Sequence, residues 1–267
     1  MNRILLTGAY WIALFMIMSV SIASAAAQDQ RGLEIALESD TRDSGFVNYT
    51  VDLKMLLRSR GGKERVRELR LKILEVEQDG DKSLAVFETP RDVKGTAFLS
   101  YSHKTEDDEQ WLYLPALKRV KRIASRNRSS PFMGSEFSYE DIANQEVEKF
   151  TYKWLRDEAL NGMDSFVIER YPVDKKNSGY ERQVVWIDKG QYRTQKIDFY
   201  GRKNSSLLKT LTIGPYRQFE KKFWKPLQYN MVNHQTGKST ILKFADYRFG
   251  VDLDERDFTK NSLLRAR

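Results

Sequence analysis

The chain has 267 residues, a formal net charge of +8, 31% charged residues and no cysteine. Without cysteine it forms no disulfide, offers no thiol nucleophile and carries no acylated cysteine behind a leader. Its 40% apolar and 12% aromatic residues are adequate for an ordinary core, which excludes a disordered chain.

Met1-Asn2-Arg3 is a short positive start, Ile4 to Ile22 is almost wholly apolar, and Ala23-Ser24-Ala25-Ala26-Ala27 offers small-residue cleavage sites. That order predicts a cleavable secretory signal over residues 1–27, in preference to an uncleaved anchor, because the small residues lead directly into polar Gln28-Asp29-Gln30. The exported remainder, residues 28–267, is expected in the periplasm as one soluble domain. A basic exported protein points to anionic partners such as phospholipid headgroups, and export argues against nucleic acid.

Leu33 to Leu37, introduced by Gly32, has helical spacing. Strand signals follow. Val47, Tyr49, Val51, Leu53, Met55 and Leu57 alternate with polar residues, Ser59-Arg60-Gly61-Gly62 supplies a turn, and Leu69, Leu71 and Ile73 return. Phe98 to Tyr101 and Trp111 to Leu114 predict a second hairpin with Glu106-Asp107-Asp108-Glu109 at its solvated tip. Ser138-Tyr139-Glu140-Asp141 has the form of a capping box that starts a short helix. Alternation then recurs at Phe150, Tyr152 and Trp154, at Phe166 and Ile168, through Val184 to Asp188, at Ile197 and Phe199, and at Leu207, Leu211 and Ile213. Leu227, Tyr229 and Met231 precede a turn at His234 to Gly237, and Ser239 to Tyr247 closes the series. So many short strands predict one twisted antiparallel sheet, in a mainly β (α+β) fold, whose apolar face is buried by a second sheet, by barrel closure or by short helices over a half-barrel.

Catalytic and metal chemistry finds little support. Gly237-Lys238-Ser239 shares the end of a phosphate-binding loop, but Val232 stands where the earlier glycine belongs and two strands flank it, so it reads as a hairpin turn. His103 and His234 lack ligands at metal spacing and read as surface residues; the acidic run lacks the spacing of a calcium loop; no serine lies in Gly-x-Ser-x-Gly. No cofactor, no metal and no enzyme activity are expected.

Between Leu117 and Ile142 a cationic stretch leads into a small apolar loop. Leu117, Val120 and Ala124 fit a helix and Val120 to Ile123 fits a strand, which leaves the element type open. Lys118, Arg119, Lys121, Arg122, Arg126 and Arg128 form either a solvated face beside the acidic tip or a rim for anionic headgroups, each cation contributing about 1 kcal/mol. Ser130-Pro131-Phe132-Met133-Gly134 presents two apolar side chains between Pro and Gly, either as a core plug or as a movable lid over a cavity.

The blocks DKSLAVFETPRDVKGTAFLSYSH, QWLYLPALKRVKRI, SPFMGSEFSYEDI, ERQVVWIDK and MVNHQTGKSTILKFADYRFGVDLDERDFT resemble the outer-membrane lipoprotein-sorting family of LolA-like periplasmic proteins, in a branch distant from the founding lipoprotein carrier. The resemblance covers nearly all of residues 28–267. It implies an unclosed, strongly curved antiparallel β half-barrel with short helices and a loop covering its concave apolar face. It also implies a carrier that shields lipid or lipoprotein acyl chains, with an inner-membrane exporter or an outer-membrane acceptor protein as a candidate partner. An accessory or sensor module that uses the same fold to bind an envelope protein is the alternative. Alternation and lid position nominate Val51, Leu53, Met55, Phe98, Leu112, Phe132, Met133, Phe137, Trp154, Phe199 and Met231 as cavity and lid residues. The arginine that the family associates with lid closure has no clear counterpart.

Overall fold

The computed structural model describes residues 8–265, with side chains from residue 25. Helix α1 spans Gly8–Asp43. Six strands follow in order: β1 (Asn48–Arg58), β2 (Glu64–Leu74), β3 (Lys82–Thr89), β4 (Ala97–Tyr101), β5 (Glu109–Leu114) and β6 (Arg119–Arg122). After a long connection containing α2 (Tyr139–Ile142) come β7 (Phe150–Leu160), β8 (Met163–Pro172), β9 (Tyr180–Asp188), β10 (Thr194–Gly201) and β11 (Leu207–Ile213). A two-stranded flap, β12 (Tyr216–Phe219) and β13 (Phe223–Pro226), precedes β14 (Gln228–Asn233), β15 (Ser239–Phe249) and the C-terminal α3 (Lys260–Arg265).

Thirteen strands form one antiparallel sheet in the order β6-β5-β4-β3-β2-β1-β15-β14-β11-β10-β9-β8-β7. The N-terminal meander runs outward from β1, the C-terminal meander runs inward from β7, and they meet at the β1–β15 pair. The sheet does not close, and its two edges, β6 and β7, are consecutive in the chain. Residues 123–149, which join them, are therefore the segment that spans the gap between the edges. Bulges between Thr50 and Asp52, between Glu68 and Leu69, and between Trp154 and Arg156 add local twist and bend to the sheet.

The expected alternation holds in β1, where Tyr49, Val51, Leu53 and Met55 are buried. Val47 departs from it: it precedes the strand, is 63% exposed and has φ 63°, so it belongs to the turn entering β1. The cationic stretch resolves as a short edge strand, β6, between 3-10 turns at Pro115–Leu117 and Ser125–Asn127. The capping box forms: Asp141 N donates to Ser138 Oγ at 3.3 Å and Ser138 N donates to Asp141 Oδ2 at 2.7 Å.

Gly32 does not begin a helix but lies inside α1. A Cβ there would sit 2.7 Å from the backbone of Lys153 and Trp154, so its missing side chain lets the helix lie directly on edge strand β7. Ile35 and Ala36 enter the main core from the same helix. That core lines the concave side. A second cluster, Leu74, Leu84, Ala97, Leu99, Trp111, Phe258 and Leu263, lies on the opposite face of β2–β5 under the C-terminal segment.

Candidate functional site

The concave face encloses a cavity of about 940 Å³. Its wall is laid down by inward positions of successive strands: Val51, Leu53 and Met55 on β1, Leu69 and Leu71 on β2, Ile168 on β8, Val185 and Ile187 on β9, Phe199 on β10, and Leu211 and Ile213 on β11. These side chains share one face because alternate residues of a strand point the same way and the antiparallel register aligns the rows, as in the pairs Val51–Leu71 and Ile168–Val185. A volume near the upper end of ordinary ligand pockets leaves room for a long flexible chain.

The connection 123–149 forms the roof at one end. Phe132 and Phe137 are each 1% exposed, and the Phe132 ring packs against Phe98, Tyr139 and Phe87 at centroid distances of 5.1, 5.5 and 6.0 Å. Phe132 N donates to Phe137 O at 2.7 Å, Met133 turns the chain at φ 49°, and its carbonyl accepts from Arg67. The roof is pinned by polar ties to the far strands. Glu136 N donates to Thr240 Oγ1 at 2.9 Å, Asn233 Nδ2 donates to Glu136 Oε2 at 2.7 Å, and Lys209 Nζ reaches both Glu136 O at 3.1 Å and Asp141 Oδ2 at 2.9 Å.

Another part of the lining is acidic. Asp40 of α1, Glu75 and Asp81 between β2 and β3, and Glu146 of the roof segment all line the cavity. Burial, then the Glu146 and Glu75 carboxylates, pushes Asp81 up to about 7; burial, then Asp40, pushes Glu146 to about 7. Asp40 is also raised, by burial and then by Glu148. Asn144 Nδ2 bridges Asp81 and Glu146 at 3.2 and 3.0 Å, which ties the roof to the β2–β3 turn. Among the described residues no His, Asp, Glu or Cys cluster is arranged to hold a metal ion.

Of the nominated residues, Val51, Leu53, Met55, Phe132, Phe137 and Phe199 line the cavity. Phe98, Leu112 and Met231 do not; they are buried in the main core. Phe98 is covered by the rings of Phe132 and Tyr139, and Met231 pairs with Thr240, the residue that anchors the roof. Met133 and Trp154 also lie outside the lining and are half-buried against the core, Trp154 beneath the Arg31 guanidinium at 3.9 Å.

None of the six nominated cations lines the cavity. Lys118, Arg119, Lys121, Arg122 and Arg126 are exposed on or beside β6. Arg128 is not a surface cation: it is 9% exposed and pairs with Asp108, Asp107 and Asp174 at 3.1, 3.3 and 3.5 Å. The acidic tip is thus partly consumed as its counterion, with Asp108 also pairing Lys149 at 3.3 Å. His234 is exposed, whereas His103 is half-buried with Nδ1 at 2.6 Å from Asp79. Sequence reasoning passed over Arg170, which lines the cavity; a signal was present, because Phe166 and Ile168 set an inward period that lands on Arg170.

Comparison with known structures gives the relationships. A domain from Vibrio parahaemolyticus named for outer-membrane lipoprotein sorting is 54% identical, covers 89% of this chain and 100% of its own, and superposes with a TM-score of 0.86. This chain belongs to the outer-membrane lipoprotein-sorting family. A DUF1329-family protein from Desulfovibrio piger is 28% identical over 88% of this chain and 99% of its own, with a TM-score of 0.83. A LolA-superfamily protein from Nitrosomonas europaea, 19% identical over 86% of this chain and 97% of its own with a TM-score of 0.69, shares the fold. A family model described as an uncharacterized protein matches residues 79–265. No curated protein matches the chain. The fold shared with these structures is the unclosed, curved half-barrel found here, with a cavity on its concave side.

Proposed function

We propose that the protein is a periplasmic carrier that takes lipid or lipoprotein acyl chains into the half-barrel cavity and transfers them across the envelope without covalent chemistry. The observation that carries the reading is the 940 Å³ hollow behind apolar strand rows, in a sheet that could otherwise have packed solid. Each methylene withdrawn from water contributes about 0.8 kcal/mol, so an acyl chain crosses an aqueous gap only when wrapped, and this wall supplies the wrapping. The family name carried by the 54% identical relative supports the same reading.

Residues 1–27 act as the export signal in this account. The helix contacts on which the fold depends, through Arg31, Gly32, Ile35 and Ala36, all follow that segment, so its removal leaves the packed part of α1 intact. The exposed cations of β6, with Leu117 beside them at 67% exposure, form a face for an anionic membrane or for an acceptor protein. Native mass spectrometry of delipidated protein tests the carrier reading. Retention of fatty-acyl lipids or triacylated lipopeptide, abolished by the cavity-filling Leu53→Trp, is the expected result; failure to retain any acyl chain in excess lipid refutes it.

A further inference from the structure

The cavity lining includes an inward arginine, Arg170, without a carboxylate partner; Lys104 and Lys222 of the lining also lack an ion pair, but Lys222 is exposed and Lys104 Nζ donates to Glu77 O at 3.4 Å. In the lining, Lys225 pairs with Asp43 at 2.8 Å and Arg193 with Asp188 at 2.8 Å; outside it, Lys209 pairs with Asp141 at 2.9 Å. Arg170, in the same lining, is held by neutral groups instead. Its Nε and Nη2 donate to Gln183 Oε1 at 2.9 and 2.7 Å, and its guanidinium stacks over Phe150 at 4.3 Å from the ring centroid. Among the described residues no carboxylate lies within ion-pair distance of it. The carboxylate that most influences it, Asp141, is already engaged by Lys209, by Tyr180 OH at 2.8 Å and by Ser138 N at 2.7 Å.

A guanidinium stays charged even when burial lowers its pKa, and a charge enclosed by apolar walls without a counterion is unfavourable. The orientation is fixed in advance by Gln183 and Phe150, which is how a binding arginine is prepared for an oxyanion. Along β8 the apolar Ile168 is the next inward residue, so a headgroup at Arg170 leaves its chain beside Ile168 and Val185.

We propose that Arg170 is the headgroup anchor of the cavity, and that the preferred ligand is an anionic amphiphile whose carboxylate or phosphate meets the guanidinium while its acyl chain lies along the strand rows. This rests on the acyl-carrier reading above and narrows it: a neutral triacylated chain terminus does not satisfy Arg170. Asp40, Asp81 and Glu146 line another part of the same cavity, and burial raises all three, Asp81 and Glu146 to about 7, so they oppose an anion more strongly above that pH, and a test at pH 8 reads the preference against their ionised forms.

The test measures binding of oleate and oleyl alcohol, and of dioleoylphosphatidylglycerol and dioleoylglycerol, to delipidated protein at pH 8. Wild type is expected to prefer the anionic member of at least one pair by about 10- to 100-fold, the range of a charge-assisted hydrogen bond. The pair that discriminates identifies the headgroup as carboxylate or phosphate. Arg170→Gln is expected to erase that ratio and Arg170→Lys to keep part of it; each ratio is read within one variant, so a general loss of folding does not imitate the result. Equal binding of anionic and neutral members by wild type, or an unchanged ratio in Arg170→Gln, overturns the anchor while leaving the carrier standing. Absence of binding by all four probes overturns both.

Discussion

Replacing Lys209 with Met should unlock the roof. Lys209 is 9% exposed, and its ammonium joins β11 to the roof twice, at Glu136 O and at Asp141 Oδ2. Removing one partner of a buried pair costs about 3–5 kcal/mol, because the remaining charge loses its counterion. Asp141 keeps Tyr180 OH and the helix-capping amide of Ser138, which places the cost at the lower end, about 3 kcal/mol. At about 1.4 kcal/mol per factor of ten, the open roof becomes on the order of 100-fold more populated. Hydrogen exchange reads this directly. The amide of Glu136, bonded to Thr240 Oγ1 across the gap, should exchange on the order of 100-fold faster, while those of the β1–β2 ladder keep their rates. Bound lipid should leave faster in the same variant. Uniform acceleration across the sheet would mean that Lys209 supports global stability, and no change at Glu136 would mean that the pin does not restrain the roof; either result refutes the reasoning.

Four further perturbations probe other parts of the molecule. Gly32→Ala places a methyl 2.7 Å from the β7 backbone, so thermal unfolding should show a loss of about 1–3 kcal/mol as α1 lifts from the edge. The groups facing one another around the acidic lining are Asp40, Asp43, Glu75, Asp81, Glu146, Glu148, Lys104 and Lys225. Because Asp81 and Glu146 rise from 3.8 and 4.5 to about 7, the folded chain binds more protons than the unfolded one between those values. Stability should therefore fall as pH rises from about 4 to 7 and level above it, and Glu146→Gln should flatten that slope in urea titrations. Lys118→Glu, Arg119→Glu and Lys121→Glu together should weaken binding to phosphatidylglycerol vesicles by on the order of 100-fold at low salt, from about 1 kcal/mol per lost cation. Arg128→Ala should leave vesicle binding unchanged while lowering the unfolding temperature.

The sheet was readable where one face meets solvent or the cavity and the other meets the opposite medium. Residues 49–55 are such a case, with inward Tyr49, Val51, Leu53 and Met55 set against Thr50, Asp52 and Lys54. Strand β3 escaped notice because both faces are covered. Ala85 and Phe87 face the concave core while Leu84 packs under Phe258 and Leu263, and a strand buried on both sides has no alternation to display. The same cause hides the role of the C-terminal segment. At the candidate site, period two selected the inward side of each strand but not the depth along it. Leu53 and Met231 are equally inward, yet only Leu53 borders open volume, because Phe132 and Phe137 descend onto the other end of the sheet. Arg128 and Arg126 are indistinguishable by composition; the three carboxylates that bury Arg128 come from residues 107, 108 and 174, a convergence that only the folded chain creates.

The open seam gives the roof its mechanical character. Had β6 paired with β7, the barrel would be shut by a backbone ladder, and releasing a ligand would require breaking consecutive main-chain bonds buried from water. Instead the chain crosses from β6 to β7 through residues 123–149, and what holds this crossing down is a set of side-chain contacts from Lys209, Asn233, Thr240 and Tyr180 on one side and from Arg67 and Asp81 on the other. Lifting it exposes the Phe132 and Phe137 rings and breaks those contacts while every strand pair of the sheet survives. The transition therefore has a discrete and modest cost, set by a few named groups, and an acceptor that offers those two rings an apolar surface offsets much of it. A fully closed barrel with the same wall would hold a chain as well and surrender it far more slowly.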